Sequence, residues 1–133
     1  MDSSPPAARG LPAARRLKQG RDFARAKAQG RRLVQGCLIL NWVALPAGTA
    51  SRVGVITGRR LGKAVVRTRA RRLLREAFRL HHPHLTQPVD LVLVARPSIV
   101  GKHLAEVARD YLTALRRAQL YGEPKTGSDQ NQP

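Results

Sequence analysis

Arginines in the middle of the chain are spaced for binding phosphate. On a helix they form one stripe at every fourth residue, made of Arg67, Arg71, Arg75 and Arg79, with Arg72 beside it. A guanidinium group donates parallel hydrogen bonds to phosphate oxygens and stays charged at physiological pH. Because like charges at this spacing repel one another, the stripe indicates a polyanionic partner instead of a solvated face.

The stripe needs a helix anchored to a core. The pattern from Ala64 to Leu80 predicts that helix, with an apolar side opposite the arginines made of Val66, Ala70, Leu73, Ala77 and Leu80. A basic loop, GRRLGK (58–63), precedes it. Between Arg52 and Arg79, ten of 28 residues are Arg or Lys and only Glu76 is acidic. This whole segment is therefore predicted to face an anion.

The rest of the chain supplies a scaffold of alternating elements. We predict a short helix ending at Gly30, a strand at 37–45, a turn at 46–51, a strand at 51–58 pairing antiparallel with the previous one, an inner strand at 88–96 and a last helix at about 102–118. This order predicts an α+β fold, a small two-layer sandwich with helices on a central sheet that contains an antiparallel hairpin.

Composition points to nucleic acid and to a single domain. The chain has 133 residues, with 25 basic against 8 acidic residues and a formal charge of +17. We expect one domain at 15–121 and disordered tails at 1–14 and 122–133. A charge this large in a small chain indicates a partner that neutralises it.

Other chemistries find little support in the sequence. Cys37 is the single cysteine and is predicted to be a buried thiol, which suits a reducing cytoplasm. No secretory signal or apolar stretch long enough to span a bilayer is evident, and the basic helix lacks the aromatic anchors of a membrane-surface helix. The HHPH run at 81–84 lacks partners for a metal, and no catalytic triad or carboxylate pair is recognisable. We expect no active site in the polypeptide itself.

Few aromatic residues are available for stacking on bases. Phe23 on the first helix and Trp42 on the first predicted strand are the better candidates, whereas Tyr111 has core spacing.

The segment RVGVITGRRLGKAVVRTRARRLLREAFR resembles the signature of the protein subunit of bacterial ribonuclease P. RDFARAKAQG resembles the first helix of that family, and DLVLVARP resembles its later strand. The similarity runs in order from about Leu17 to Tyr121. It implies a left-handed βαβ crossover, as in a domain of a small-subunit ribosomal protein, against the usual right-handed rule.

The resemblance also implies a function. An RNA subunit would carry out magnesium-assisted removal of the 5′ leader from precursor tRNA, and the protein would assist in the cytoplasm with no cofactor of its own and no obligate protein partner. The residues implied to contact the RNA subunit are Arg59, Arg60, Lys63, Arg67, Thr68, Arg69, Arg71, Arg72 and Arg75. Those implied to line a cleft for the leader are Phe23, Lys27, Asn41 and Arg52.

The chain departs from the family at several of these positions. Thr68 stands where the family usually has Asn, and Arg71 where it has Lys. Lys27 and Asn41 stand where some relatives carry aromatic residues. A structural RNA-binding protein of the ribosomal kind remains the alternative function, and a DNA-binding helix is disfavoured because no turn-helix pair precedes it.

Overall fold

A mixed four-stranded sheet forms the centre of the computed structural model, which describes residues 15–17 and 20–122. The elements in chain order are α1 (Gly20–Gln29), β1 (Arg31–Gln35), β2 (Leu38–Ala44), β3 (Arg52–Ile56), α2 (Ala64–His81), β4 (Val89–Ala95) and α3 (Leu104–Arg117). Short 3-10 turns at Arg59–Leu61, His82–His84 and Pro97–Ile99 lie at the ends of α2 and β4. The α+β class and the three predicted helices are confirmed.

The pairing of the strands differs from the prediction. The sheet order is β1-β2-β4-β3, and β4 pairs antiparallel with β2 but parallel with β3. The predicted antiparallel hairpin between β2 and β3 is therefore wrong. The hairpin lies between β1 and β2, with Leu33 opposite Leu40. The turn after β2 leads across β4 to the far edge, so α2 connects two adjacent parallel strands.

The sheet buries both of its faces, but unequally. Side chains that alternate along β2 and β4, such as Leu40 and Leu93, join α2 and α3 in the main core. On the other face α1 covers a smaller cluster of Leu17, Ala26 and Val92. The helices thus lie on both faces, and the layer formed by α1 makes the molecule more than a two-layer sandwich. β4 is the inner strand predicted from its apolar run.

The edge of β3 is closed by the segment before α1. Arg16 forms a parallel bridge with Val53, and the Leu17 amide donates a hydrogen bond to the Val53 carbonyl at 2.9 Å. This short segment covers an edge that would otherwise offer free backbone groups to another strand.

The two predicted tails lie almost entirely outside the described residues. Gly122, placed in the C-terminal tail from its sequence, is the exception, because its amide donates to the His84 carbonyl at 2.7 Å. Tyr121 beside it is held between two side chains: its ring stacks on His84 at 4.9 Å and lies under the Arg116 guanidinium at 4.4 Å. Gly122 is therefore packed as part of the described fold.

Candidate nucleic-acid interface

The side of α2 that faces the core overlaps the predicted one, since Ala70 and Ala77 are buried, but it is rotated relative to it. Leu74 and Phe78 are completely buried, whereas Leu80, assigned to the core from its spacing, is 43% exposed. At 100° per residue the buried side is rotated by roughly 60° from the predicted one. Arg67 and Arg71 consequently border the core, and the half of the helix that faces solvent is marked by Arg69 and Arg72.

The half-buried guanidinium group of Arg71 on α2 is held in place by neutral oxygens. Arg71 donates from Nη1 to Thr57 Oγ1 at 2.7 Å and from Nη2 to Thr68 Oγ1 at 3.1 Å. These hydroxyl groups orient the guanidinium without neutralising it. Thr68, the departure from the family's Asn, thus positions a neighbouring arginine.

The last two arginines of the stripe, Arg75 and Arg79, differ in how their charges are balanced. Burial lowers the pKa of Arg75, and the charges of Arg16 and Arg71 lower it further. Arg79 instead donates from Nε to Glu76 Oε1 at 2.8 Å, so its charge is largely compensated. The uncompensated part of the stripe therefore lies in the first three turns of α2, which excludes Arg79 from the strongest anion-binding surface.

Arg16 is a member of this surface that the sequence alone did not reveal. Its bridge to Val53 brings it close enough to Arg75 to affect the pKa of that side chain. The Nε atoms of Arg16 and Arg67 are both buried, and neither has a hydrogen-bond partner among the described residues. A cluster of half-buried guanidinium groups without a carboxylate is an arrangement that an incoming phosphate would stabilise.

The basic loop adds positive charge at the start of α2. Arg59, Arg60 and Lys63 are all exposed, while Leu61 between them is buried and fixes the turn. Gly62 has a φ of 130°, a conformation that side chains rarely adopt, so the tight approach to the helix depends on glycine here. No acidic residue occupies the first turn of α2. The amino-terminal end of the helix dipole and the loop cations therefore act on an anion together.

The predicted leader residues lie in and around the space between α1 and the sheet. A Cβ built on Gly54 would come within 2.5 Å of the Phe23 ring, so the aromatic side chain lies directly on the glycine. Asn41 is 6% exposed and its Nδ2 donates to the Val92 carbonyl at 3.5 Å. Lys27 is exposed on the outer side of α1. The structure brings Phe23 and Asn41 to one face of the sheet, while Lys27 is exposed on the helix that covers this face.

Arg52 has a structural partner that the sequence did not predict. Its Nε and Nη2 donate to the two oxygens of Asp90 at 2.9 and 2.8 Å, and Arg25 from α1 donates to the same carboxylate at 2.9 Å. Asp90 is completely buried. One carboxylate therefore joins α1, β3 and β4, and hydrogen bonding to it raises the pKa of Arg52. At the cleft, the guanidinium group of Arg52 is therefore already paired with the Asp90 carboxylate.

An apolar row on the same face was also missed. Val34, Ile39, Val94 and Ile56 are successive cross-strand neighbours through all four strands. Val34 is 40% and Ile56 37% exposed, so the row is an open floor beyond the end covered by α1. The alternation in each strand was a signal for it, but the strand order was needed to align the four residues.

The comparisons with known proteins agree with this architecture. A family model described as Ribonuclease P matches residues 11–119. The chain belongs to the ribonuclease P protein family. A ribonuclease P protein component from Chloroflexus aggregans is 41% identical over 114 residues, covering 85% of this chain and 84% of the relative. One from Symbiobacterium thermophilum is 39% identical over 105 residues, covering 79% and 91%.

Solved structures of the ribonuclease P protein share the fold. The protein from Thermotoga maritima has a TM-score of 0.68 and 26% identity, covering 77% of this chain and 96% of that one. The Staphylococcus aureus protein has a TM-score of 0.72 at 22% identity, covering 81% and 98%, which shows the fold. The chain is thus a protein subunit of the ribonucleoprotein endoribonuclease that processes tRNA.

The histidine run is occupied by packing contacts in this ribonuclease P protein. The His82 ring stacks on Phe78 at 5.6 Å, and the His84 ring stacks on Tyr121. Across residues 15–17 and 20–122, no three His, Cys, Asp or Glu side chains come together as a metal site would require. In the same part of the chain, no helix is both long and apolar enough to cross a membrane.

Proposed function

We propose that the protein binds the RNA subunit of ribonuclease P through the first three turns of α2 and the loop before it, and holds the 5′ leader of precursor tRNA in the α1 cleft. The observation that carries this proposal is the group of Arg16, Arg67, Arg71 and Arg75, half-buried and without a carboxylate partner among the described residues. Exposed Arg59, Arg60, Lys63, Arg69 and Arg72 extend the surface on both sides.

According to this proposal, the protein assists the RNA subunit by positioning the leader and by neutralising charge. Its arginines neutralise phosphates that repel one another in the folded RNA, which favours the active form of the RNA at lower magnesium concentration. Magnesium belongs to the holoenzyme's RNA and the protein contributes no metal of its own. We also propose a cytoplasmic location, precursor tRNA as the substrate partner, and no obligate protein partner.

The cleft holds the leader with a mixed surface. Phe23 supplies an aromatic ring, Asn41 and Lys27 supply polar and charged groups, and the apolar row from Val34 to Ile56 supplies a floor. Apolar and aromatic surfaces tolerate many base sequences, because bases contact them through their flat faces. This is consistent with a subunit that broadens the range of precursors.

A reconstitution experiment tests the function. The purified protein alone is expected to leave precursor tRNA intact, whereas the protein together with the RNA subunit restores leader removal at low magnesium. Cleavage by the protein alone, or no effect of the protein on the RNA subunit, would overturn the proposal. The comparisons do not favour the ribosomal-type alternative. Purification from cells separates the two, since ribosomal RNA would co-purify in one case and the ribonuclease P RNA in the other.

A further inference from the structure

A second groove, outside the α1 cleft, lies at the end of the sheet where α1 leads into β1 and where α3 ends. Its volume is about 530 Å³, within the range of sites for small organic molecules. The side chains that matter for recognition are Gln29, Arg31, Trp42, Gln87, Gln119 and Leu120. Neither the arginine surface nor the leader cleft includes any of them.

The lining chemistry matches a nucleobase and its phosphate. Trp42 is half-buried and packs against the main core, while it also lines the groove. Arg31 is its direct cross-strand partner and lines the same groove, so the groove contains a cation as well as an aromatic ring. Gln29, Gln87 and Gln119 are exposed at the rim, and each primary amide offers both donors and an acceptor. Stacking on an indole with amides at the edge is a recurring way to hold an unpaired base.

Gln119 gives an independent reason to assign a role to this groove. Its φ is 62°, and it is the one residue other than glycine with a positive φ in the described part of the chain. It ends α3, where the Leu120 amide donates to the Leu115 carbonyl at 2.8 Å, a position that favours glycine. Glutamine is therefore strained at a place where glycine would fit better. Such strain is concentrated at functional sites.

The position of the groove favours the leader over the RNA subunit. α2, with its arginines, packs mainly over β3 and β4, whereas α3 packs mainly over β1 and β2. The groove lies at the β1 and β2 side, and the last residue of α1 forms its wall. Lys27, implied above to contact the leader, is exposed two residues earlier on the same helix. None of the residues that line the groove is acidic, so a phosphate group in the groove meets no repulsion from them.

We propose that this groove binds an unpaired base of the precursor leader after the leader leaves the α1 cleft, with the base stacked on Trp42, its edge on the glutamine amides and its phosphate at Arg31. The inference rests on the proposed function. It assigns a base-binding site that is separate from the cleft and that long leaders alone can reach.

The fluorescence of Trp42 provides a direct test, because it is the single tryptophan of the chain. The holoenzyme is titrated with precursors whose leaders are lengthened one nucleotide at a time. We expect short leaders to leave the emission unchanged and quenching to begin at the length that reaches the groove. Emission that never changes with leader length would overturn the proposal, as would quenching by the RNA subunit alone.

Substitutions in the holoenzyme complete the test. Gln119→Gly relieves the strained φ, so the thermal stability should hold or rise, while affinity for long-leader precursors falls by about threefold. Trp42→Leu should lower affinity for the same precursors by about tenfold. Affinity for short leaders should not change in either variant. Equal losses for short and long leaders, or no loss with either variant, would overturn the proposal. If the wild-type protein itself fails to improve binding of any precursor, the proposed function fails instead.

Discussion

The buried carboxylate of Asp90 is held by Arg52 through two parallel hydrogen bonds, at 2.9 and 2.8 Å. The family resemblance implies that Arg52 lines the leader cleft. Because its donors Nε and Nη2 are taken by a completely buried acid, its main effect is to fix β3 against β4 beneath α1. The geometry of the cleft therefore depends on this ion pair.

Removing the charge of Asp90 should destabilise the fold. Asp90→Asn leaves Arg25 and Arg52 without their common anion, and we expect the free energy of unfolding to fall by about 2 to 3 kcal/mol. Urea denaturation measures it. Asp22→Asn is the matched control, because Asp22 lies 3.7 Å from Arg52 with a partly exposed side chain and should cost about 0.5 kcal/mol. Equal losses in the two variants would contradict the central role of Asp90.

The arginine surface should determine how salt affects RNA binding. Replacing Arg67, Arg71 and Arg75 together with alanine removes three phosphate contacts, so the slope of log affinity against log salt should become shallower by about 2 to 3. Titration of the RNA subunit at several salt concentrations measures the slope. Arg109→Ala, on the exposed side of α3, should leave it unchanged. An unaltered slope in the triple variant would remove this side of α2 from the interface.

The contact of Phe23 with Gly54 should show strong coupling. Gly54→Ala places a methyl group 2.5 Å from the Phe23 ring, which must move, and we expect a loss of about 1 to 3 kcal/mol in stability. In the Phe23→Ala background the same substitution should cost far less, because the ring is gone. A double-mutant cycle by urea denaturation measures the difference. Additive effects would show that the cost of the added methyl group does not come from the Phe23 ring.

Cys37 should be inert in the native protein. Burial, reinforced by Asp110, raises the pKa of its thiol from 9.0 to about 12. At pH 8 the folded protein then holds about a thousandfold less thiolate than the unfolded chain, and alkylation should be slower in proportion. Mass spectrometry after iodoacetamide treatment, with and without urea, measures the ratio. Similar rates in both conditions would show that the thiol is accessible.

The same pKa shift has a consequence for stability at alkaline pH. Because the folded thiol has the higher pKa, its contribution to stability is complete below pH 9 and is lost as the pH rises toward about 12. Complete burial raises the pKa of Tyr111 as well, and this acts in the same direction. Cys37→Ala should therefore flatten part of the stability loss between pH 9 and 12, as measured by urea denaturation at each pH.

Local patterns predicted the helices better than the sheet. The span of α2 was predicted to within one residue because its spacing, Gly62 before it and Pro83 after it are local signals. β1 was missed because its sequence, RRLVQ, begins with two arginines that continue the polarity of α1. The pairing of β2 with β3 was inferred from the short turn between them. The actual neighbour of both is β4, which follows them by more than thirty residues, so no local signal could show it.

The candidate site, too, was predictable where its signals are local and unpredictable where they depend on distant contacts. The arginines of α2 were visible in the sequence, but their phase relative to the core depended on Leu74 and Phe78, which only the packing against α3 and the sheet reveals. Arg16 entered the surface through a bridge to Val53, and Asp90 paired with Arg25, which lies 65 residues away in the chain. Contacts made over such separations depend on the complete topology.

The central position of β4 affects how the protein is made. Both β2 and β3 depend on β4, and β4 is synthesised after α2. Until residue 95 has left the ribosome, the nascent chain has only the β1–β2 hairpin and carries an arginine-rich helix with no sheet to support it. The complete sheet therefore forms only after β4 has emerged, and the basic segment is exposed to cellular RNA before its binding surface exists. A chaperone or the cognate RNA present at that moment would bind a chain whose basic segment is not yet packed on the sheet.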